Sequence, residues 1–140
     1  MGKIVAFDIG ARRVGVAETD ELKMIASRKT NVLFADLERY VLDLMEKESP
    51  EIIVVGDPKR MNMEPSSAKP HVDKFVAFCR RSFPDVPVEL VDERFTSKMA
   101  SQSMWEAGLG KNKRKQKELI DEVSAVIILQ SFLEQQNNRR

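Results

Sequence analysis

The chain has little that could form a disulfide, bind zinc or cross a membrane. Its 140 residues include one cysteine, one histidine, one tryptophan and one tyrosine. Cys79 cannot close an internal disulfide, and it falls on a helical apolar stripe, so a buried thiol is expected rather than a catalytic one. One Cys and one His make no zinc set, which leaves oxygen donors for any metal. The net charge is only +1, so no global field draws the chain onto nucleic acid and any such surface must be local. No apolar run approaches a membrane span, and the start lacks a signal-peptide segment, so a cytoplasmic protein is expected. Without repeats, linkers or low-complexity tracts, 42% hydrophobic and 32% charged residues suit one globular domain over 1–140.

What is present is concentrated at the start. An apolar run from Ile4 to Phe7 stops at Asp8. Gly10 and Ala11-Arg12-Arg13 follow, and Val14 to Ala17 is apolar again. Two such runs around a short glycine-containing link read as a hairpin. The first has no polar residue on either face, as a central strand covered on both sides requires. Asp8 then ends a rigid strand at the edge of the core, where a metal ligand should stand. A solvated turn aspartate is the plainer alternative.

Further along, a weakly marked strand is expected over 25–32 and a helix over 34–47, with Pro50 just beyond. The short strand 52–55 ends at Gly56-Asp57-Pro58, and a polar loop over 59–67 follows it. Val72, Phe75, Val76, Cys79 and Phe83 share one stripe of a second helix. A fifth strand over 88–91 stops on Asp92-Glu93, a helix over 96–107 ends at Gly108, and a last helix spans about 119–135. Helices between apolar strands imply parallel pairing. The expected fold is α/β, with an antiparallel N-terminal meander joined to parallel strands in a mixed five-stranded sheet flanked by helices.

Three acid positions fall at comparable places: Asp8 ends the first strand, Asp92-Glu93 ends the fifth, and Asp121 opens the last helix. Ligand sites of open α/β sheets gather at the carboxyl ends of the strands. Acids held together repel unless a cation compensates, and hard oxygen donors suit Mg²⁺ or Mn²⁺. Taken singly, each acid could be a cap or a solvated end. His71, in a first helical turn, reads as a surface residue.

FDIGARRVGVA, VVGDP, DERFTS and IDEVSAVIILQSFLE resemble, in order, the motifs of the YqgF/RuvX family over nearly the whole chain. Members are described as Holliday junction resolvases and as nucleases maturing the precursor of 16S rRNA, with a ribonuclease H-like fold. The resemblance implies that Asp8, the pair Asp92-Glu93, and Asp121 correspond to the metal-binding acids. The chain departs from the family after Gly56-Asp57-Pro58, where Lys59 to Met63 lack the further glycine usual there.

Independently of that likeness, phosphodiester hydrolysis suits two divalent ions held by carboxylates about 4 Å apart. Asp8 is the natural bridging ligand. Glu93 is favoured over Asp92 because its longer arm reaches across while strand alternation turns Asp92 away. Ser124 and Ala125 share a helical face with Asp121 and let it approach the sheet; Asp121 and Glu122 could instead serve the helix dipole. Nucleic-acid contact would fall to Lys111, Lys113, Arg114, Lys115 and Lys117, a run that alone could be a solvated loop and that the resemblance raises to a backbone-gripping one, and to Arg12, Arg13 and Arg94 at the scissile phosphate. Arg94 could equally pair with a nearby carboxylate. Trp105 is isolated and reads as packing. The residues do not separate structured RNA from branched DNA as substrate, and the resemblance favours RNA; a resolvase cutting both strands calls for a two-fold homodimer. Two other classes fit part of the pattern. The glycines from Gly10 to Gly15 also suit a sugar-kinase or actin-like phosphate loop, but those enzymes need two lobes. A nuclease-like binding module without catalysis would not need all three acid positions.

Overall fold

The computed structural model describes residues 2–57, 68–92 and 113–138, the side chains of 113–121 and 137–138 excepted. In chain order the elements are β1 (Ile4–Ile9), β2 (Arg13–Thr19) and β3 (Ala26–Leu33), then a 3₁₀ turn (Phe34–Asp36) leading into α1 (Leu37–Lys47). β4 (Ile52–Asp57), α2 (Lys69–Ser82), β5 (Val88–Asp92) and α3 (Lys113–Asn138) follow. The strands form one sheet in the order β3-β2-β1-β4-β5. β1 pairs antiparallel with β2 and β2 with β3, while β1/β4 and β4/β5 are parallel. This is the mixed five-stranded sheet that the apolar runs predict.

β1 holds the centre because both of its faces are apolar. Val5, Phe7 and Ile9 join Val14, Val16, Ile53 and Val55 beneath α1 and α2, where Leu37, Val41, Phe75 and Cys79 are buried. Ile4 and Ala6 join Ala17, Val54 and Val91 beneath α3, whose Ala125, Ile128, Leu129 and Phe132 close the other layer. Phe7 and Phe75 meet with ring centroids 5.0 Å apart. Burial pushes the Cys79 thiol up to about 12, so it stays protonated, as a packing residue should. None of the helices among the described residues is long and apolar enough to cross a membrane.

Several boundaries differ from the pattern-based expectation. α3 begins at Lys113, not near 119, and runs to Asn138. Its first turn carries no acid, so the usual start signal is missing. Yet Lys, Arg, Gln and Glu are strong helix formers, and no Gly or Pro interrupts them. Asp121 therefore lies in the third turn of α3 instead of opening it, too deep for the dipole of the N-terminus to reach it. β4 extends through Gly56 and Asp57, and β5 through Asp92, because these residues continue the parallel ladder. The helix expected over 96–107 and the loop over 59–67 lie outside the described residues.

Candidate active site

Asp8 is the penultimate residue of β1 and half-buried. Side chains alternate along a strand, so Asp8 shares the face of Ile4 and Ala6, the one covered by α3. Residues level with one another on adjacent strands point the same way. Across β1/β2 the residue level with Asp8 is Gly15, and Gly15 is in turn level with Asn31 of β3. On the other side, the pairing of Phe7 with Val55 brings Gly56 to Asp8's level, and Gly56 pairs with Val91. Asp8 is thus flanked on both neighbouring strands by glycine.

The turn that follows is tight. The Gly10 amide donates to the Arg13 carbonyl at 2.9 Å, and a Cβ added at Gly10 would stand 2.9 Å from that same oxygen, so only glycine fits. The Phe34 amide donates to the Arg12 carbonyl at 2.8 Å, tying the end of β3 to this turn. Arg12 is exposed and Arg13 half-buried. Val14 and Val16 face α1 and α2, so alternation sets Arg13 with Gly15, on the Asp8 face and nearer the sheet edge.

Asp92 pairs with Asp57 at the next level of the sheet, and both fall on the face opposite to Asp8. Asp57 was missed by the motif reading; only its place before Pro58 hinted at an edge position. Its carboxylate lies 3.7 Å from the Lys69 ammonium, which is also 3.2 Å from Asp73. Asp73, more than Asp57, holds that ammonium above its ordinary value. Two carboxylates side by side on neighbouring strands repel, and Lys69 offsets that repulsion.

His71 is not simply a surface residue. Its ring stands edge-on to Phe34 at 4.7 Å and is half-buried. The physical reason is that α2 starts over the end of β3, where Phe34 needs cover. Lys113, Arg114, Lys115 and Lys117 belong to the first turns of α3, not to a loop before it. Glu93, Arg94 and Lys111 lie outside the described residues, and Asp121 is described in backbone only.

α3 carries one further polar group into this layer. Ser124 is 1% exposed, and its Oγ has no hydrogen-bond partner among the described residues. Among those residues no group of three or more His, Cys, Asp or Glu side chains is close enough to hold a metal. The fit to a hard cation therefore rests on an oxygen donor at a rigid strand end, glycines level with it on both neighbouring strands, and an orphaned buried hydroxyl on the covering helix. All three suit Mg²⁺ or Mn²⁺ and its water shell.

Comparison with known proteins adds the following. Residues 2–135 match the RuvX family, described as a Holliday junction resolvase. A protein of Christiangramia forsetii named "Putative pre-16S rRNA nuclease" is 50% identical over 133 residues, 95% of this chain and 98% of its own length. One of Parabacteroides distasonis with the same name is 46% identical over 134 residues, 96% of each chain. The fold is similar to that of T. thermophilus RuvC in complex with Holliday junction substrate, with a TM-score of 0.60 at 13% identity, covering 98% of this chain and 97% of that one. A second Thermus thermophilus RuvC structure gives 0.54 at 14% identity, covering 96% of each. At such identities the likeness is one of fold, and that fold is the ribonuclease H-like one.

Proposed function

We propose a function from the premise that this chain belongs to the RuvX family: it is a metal-dependent nuclease that hydrolyses phosphodiester bonds in the 5′-end maturation of pre-16S rRNA. The observation that carries the reading is the setting of Asp8, a carboxylate fixed at the end of the central strand between Gly15 and Gly56. Near-relatives named for pre-16S rRNA favour that substrate over a DNA junction.

Asp8, Glu93 and Asp121 are the residues that would hold Mg²⁺ or Mn²⁺. Alternation in β5 sends Asp92 to the Asp57 face, which favours Glu93 as the acid on the Asp8 side. Asp121 lies one helical turn before Ala125, a residue buried against the Asp8 face, which favours its approach to that edge. When bound, two such ions lower the pKa of a water and neutralise charge at the phosphate. The chain's own residues fix the donors and hold the strand to be cut. Arg13, at the edge of the Asp8 face, suits a bidentate grip on the two non-bridging phosphate oxygens. Arg12, Arg94 and Lys111, with Lys113, Arg114, Lys115 and Lys117 at the head of α3, would grip the flanking backbone without reading sequence.

The test is to incubate the purified chain with Mn²⁺ and, separately, an RNA spanning the 16S 5′ leader and a four-way DNA junction. Cleavage of the RNA within the leader is expected. Preferential cutting of the junction would replace the rRNA reading by a resolvase, where a two-fold dimer should then be found. Binding of both without cleavage would leave only a nucleic-acid-binding module.

A further inference from the structure

Among the described residues, Ser124 is the buried polar side chain of the layer beneath α3 whose oxygen has no partner, and the proposed chemistry does not use it. A serine inside a helix usually returns its hydroxyl to a carbonyl one turn back. Here the Oγ makes no such bond, at 1% exposure. An unpartnered buried hydroxyl is a cost that alanine would avoid, so its presence calls for a physical reason.

The position of Ser124 along the sheet supplies one. Ile4, Ile52, Leu133 and Gln136 line one cavity, so the C-terminal half of α3 lies over the starts of β1 and β4. From Leu133 back to Ser124, α3 covers roughly 14 Å. From Ile4 to Asp8, β1 covers roughly 13 Å. Running opposite to β1, α3 thus carries Ser124 to the level of Asp8. Ile128, one turn on, is buried against the same face, so Ser124 is on the sheet-facing stripe. At that level the sheet carries Gly15 and Gly56 on either side of Asp8. The hydroxyl therefore lies at the height where the sheet has two glycines and a carboxylate.

We propose that Ser124 is a positioning residue of the Asp8 site, its hydroxyl hydrogen-bonding a water in the hydration shell of a divalent cation held there. The inference rests on the metal-dependent reading of Asp8 and deepens it. A second contact of this kind orients the cation's water without binding the cation itself.

The test uses Mn²⁺ alone, titrated into the full chain and followed by the resonance of the free ion, with metal-free melting run in parallel. Ser124→Ala should melt no lower than the wild type without metal, since it removes an unsatisfied group and adds a better helix former. Its Mn²⁺ dissociation constant should rise roughly tenfold or more. If wild type binds Mn²⁺, Asp8→Asn abolishes that binding and Ser124→Ala binds like wild type, the Ser124 role is wrong while the Asp8 site stands. If wild type binds no Mn²⁺, or Asp8→Asn binds it equally well, the reading of Asp8 fails and this inference with it. A lower metal-free melting temperature for Ser124→Ala would show the hydroxyl to be structural and overturn the proposal.

Discussion

Gly15 stands directly across the sheet from Asp8, on the neighbouring antiparallel strand. Glycine inside a strand gives up cross-strand packing, and it is retained where another group must come close. Gly15→Ala should therefore weaken Mn²⁺ protection against heat and slow cleavage by about tenfold, a change of roughly 1.4 kcal/mol. Its metal-free melting temperature separates two causes. An unchanged value locates the effect at the Asp8 carboxylate; a large fall would mean that the methyl meets α3 instead.

Asp8→Asn keeps the side chain's size and one oxygen but removes its charge. If the carboxylate holds a cation worth several kcal/mol at the phosphate, cleavage should fall by about a thousandfold. Nucleic-acid affinity should stay comparable, because phosphate contacts come from the basic residues. Near wild-type cleavage in Mn²⁺ would sink the two-metal assignment.

The triple change Lys113→Gln, Arg114→Gln, Lys115→Gln separates binding from folding. These residues form the first turn of α3, where cations oppose the helix dipole. Neutralising them should not lower the melting temperature. It should reduce the salt slope of nucleic-acid binding by up to about 3, through lost counterion release. A slope equal to the wild type's would show that this turn does not touch the backbone.

Far from the site, Lys3 and Lys29 each bridge Glu18 and Glu48 at 2.8–3.1 Å, joining β1, β2 and β3 to the end of α1. Hydrogen bonds donated to Glu48 and Glu18 push Lys3 up to about 12, so its contribution is complete below its unfolded value near 10.5 and lost as pH rises through about 12. A hydrogen bond from Lys3 lowers Glu48, so its contribution is present above its unfolded value near 4.5 and lost as pH falls through the depressed one. Glu48→Gln should cost roughly 0.5–1 kcal/mol on the plateau between those limits. Melting curves across pH should show the wild-type and variant values converging in strong acid and strong alkali. A gap that persists at both extremes would mean packing, not charge, is responsible.

The sequence by itself determined the kinds of elements and most of their places. The unbroken Ile4–Phe7 run requires a covered central strand, the stripe through Val72, Phe75, Val76 and Cys79 requires a half-buried helix, and Asp8 ends its strand wherever that strand lies. Such patterns are local, because the period of apolar residues is written within one segment. The start of α3 at Lys113 is not legible in this way, since a basic first turn hides a boundary that helix propensity alone sustains. Only the tertiary structure decided which residues stand level with which. The pairing that sets Gly56 level with Asp8 and that of Asp57 with Asp92 depend on register between strands that the chain visits far apart in sequence. Pairing and helix packing set that register together, and a slip of one residue would exchange the two faces. The glycine-flanked carboxylate and the orphaned Ser124 hydroxyl are properties of that register, and neither can be read from any one segment.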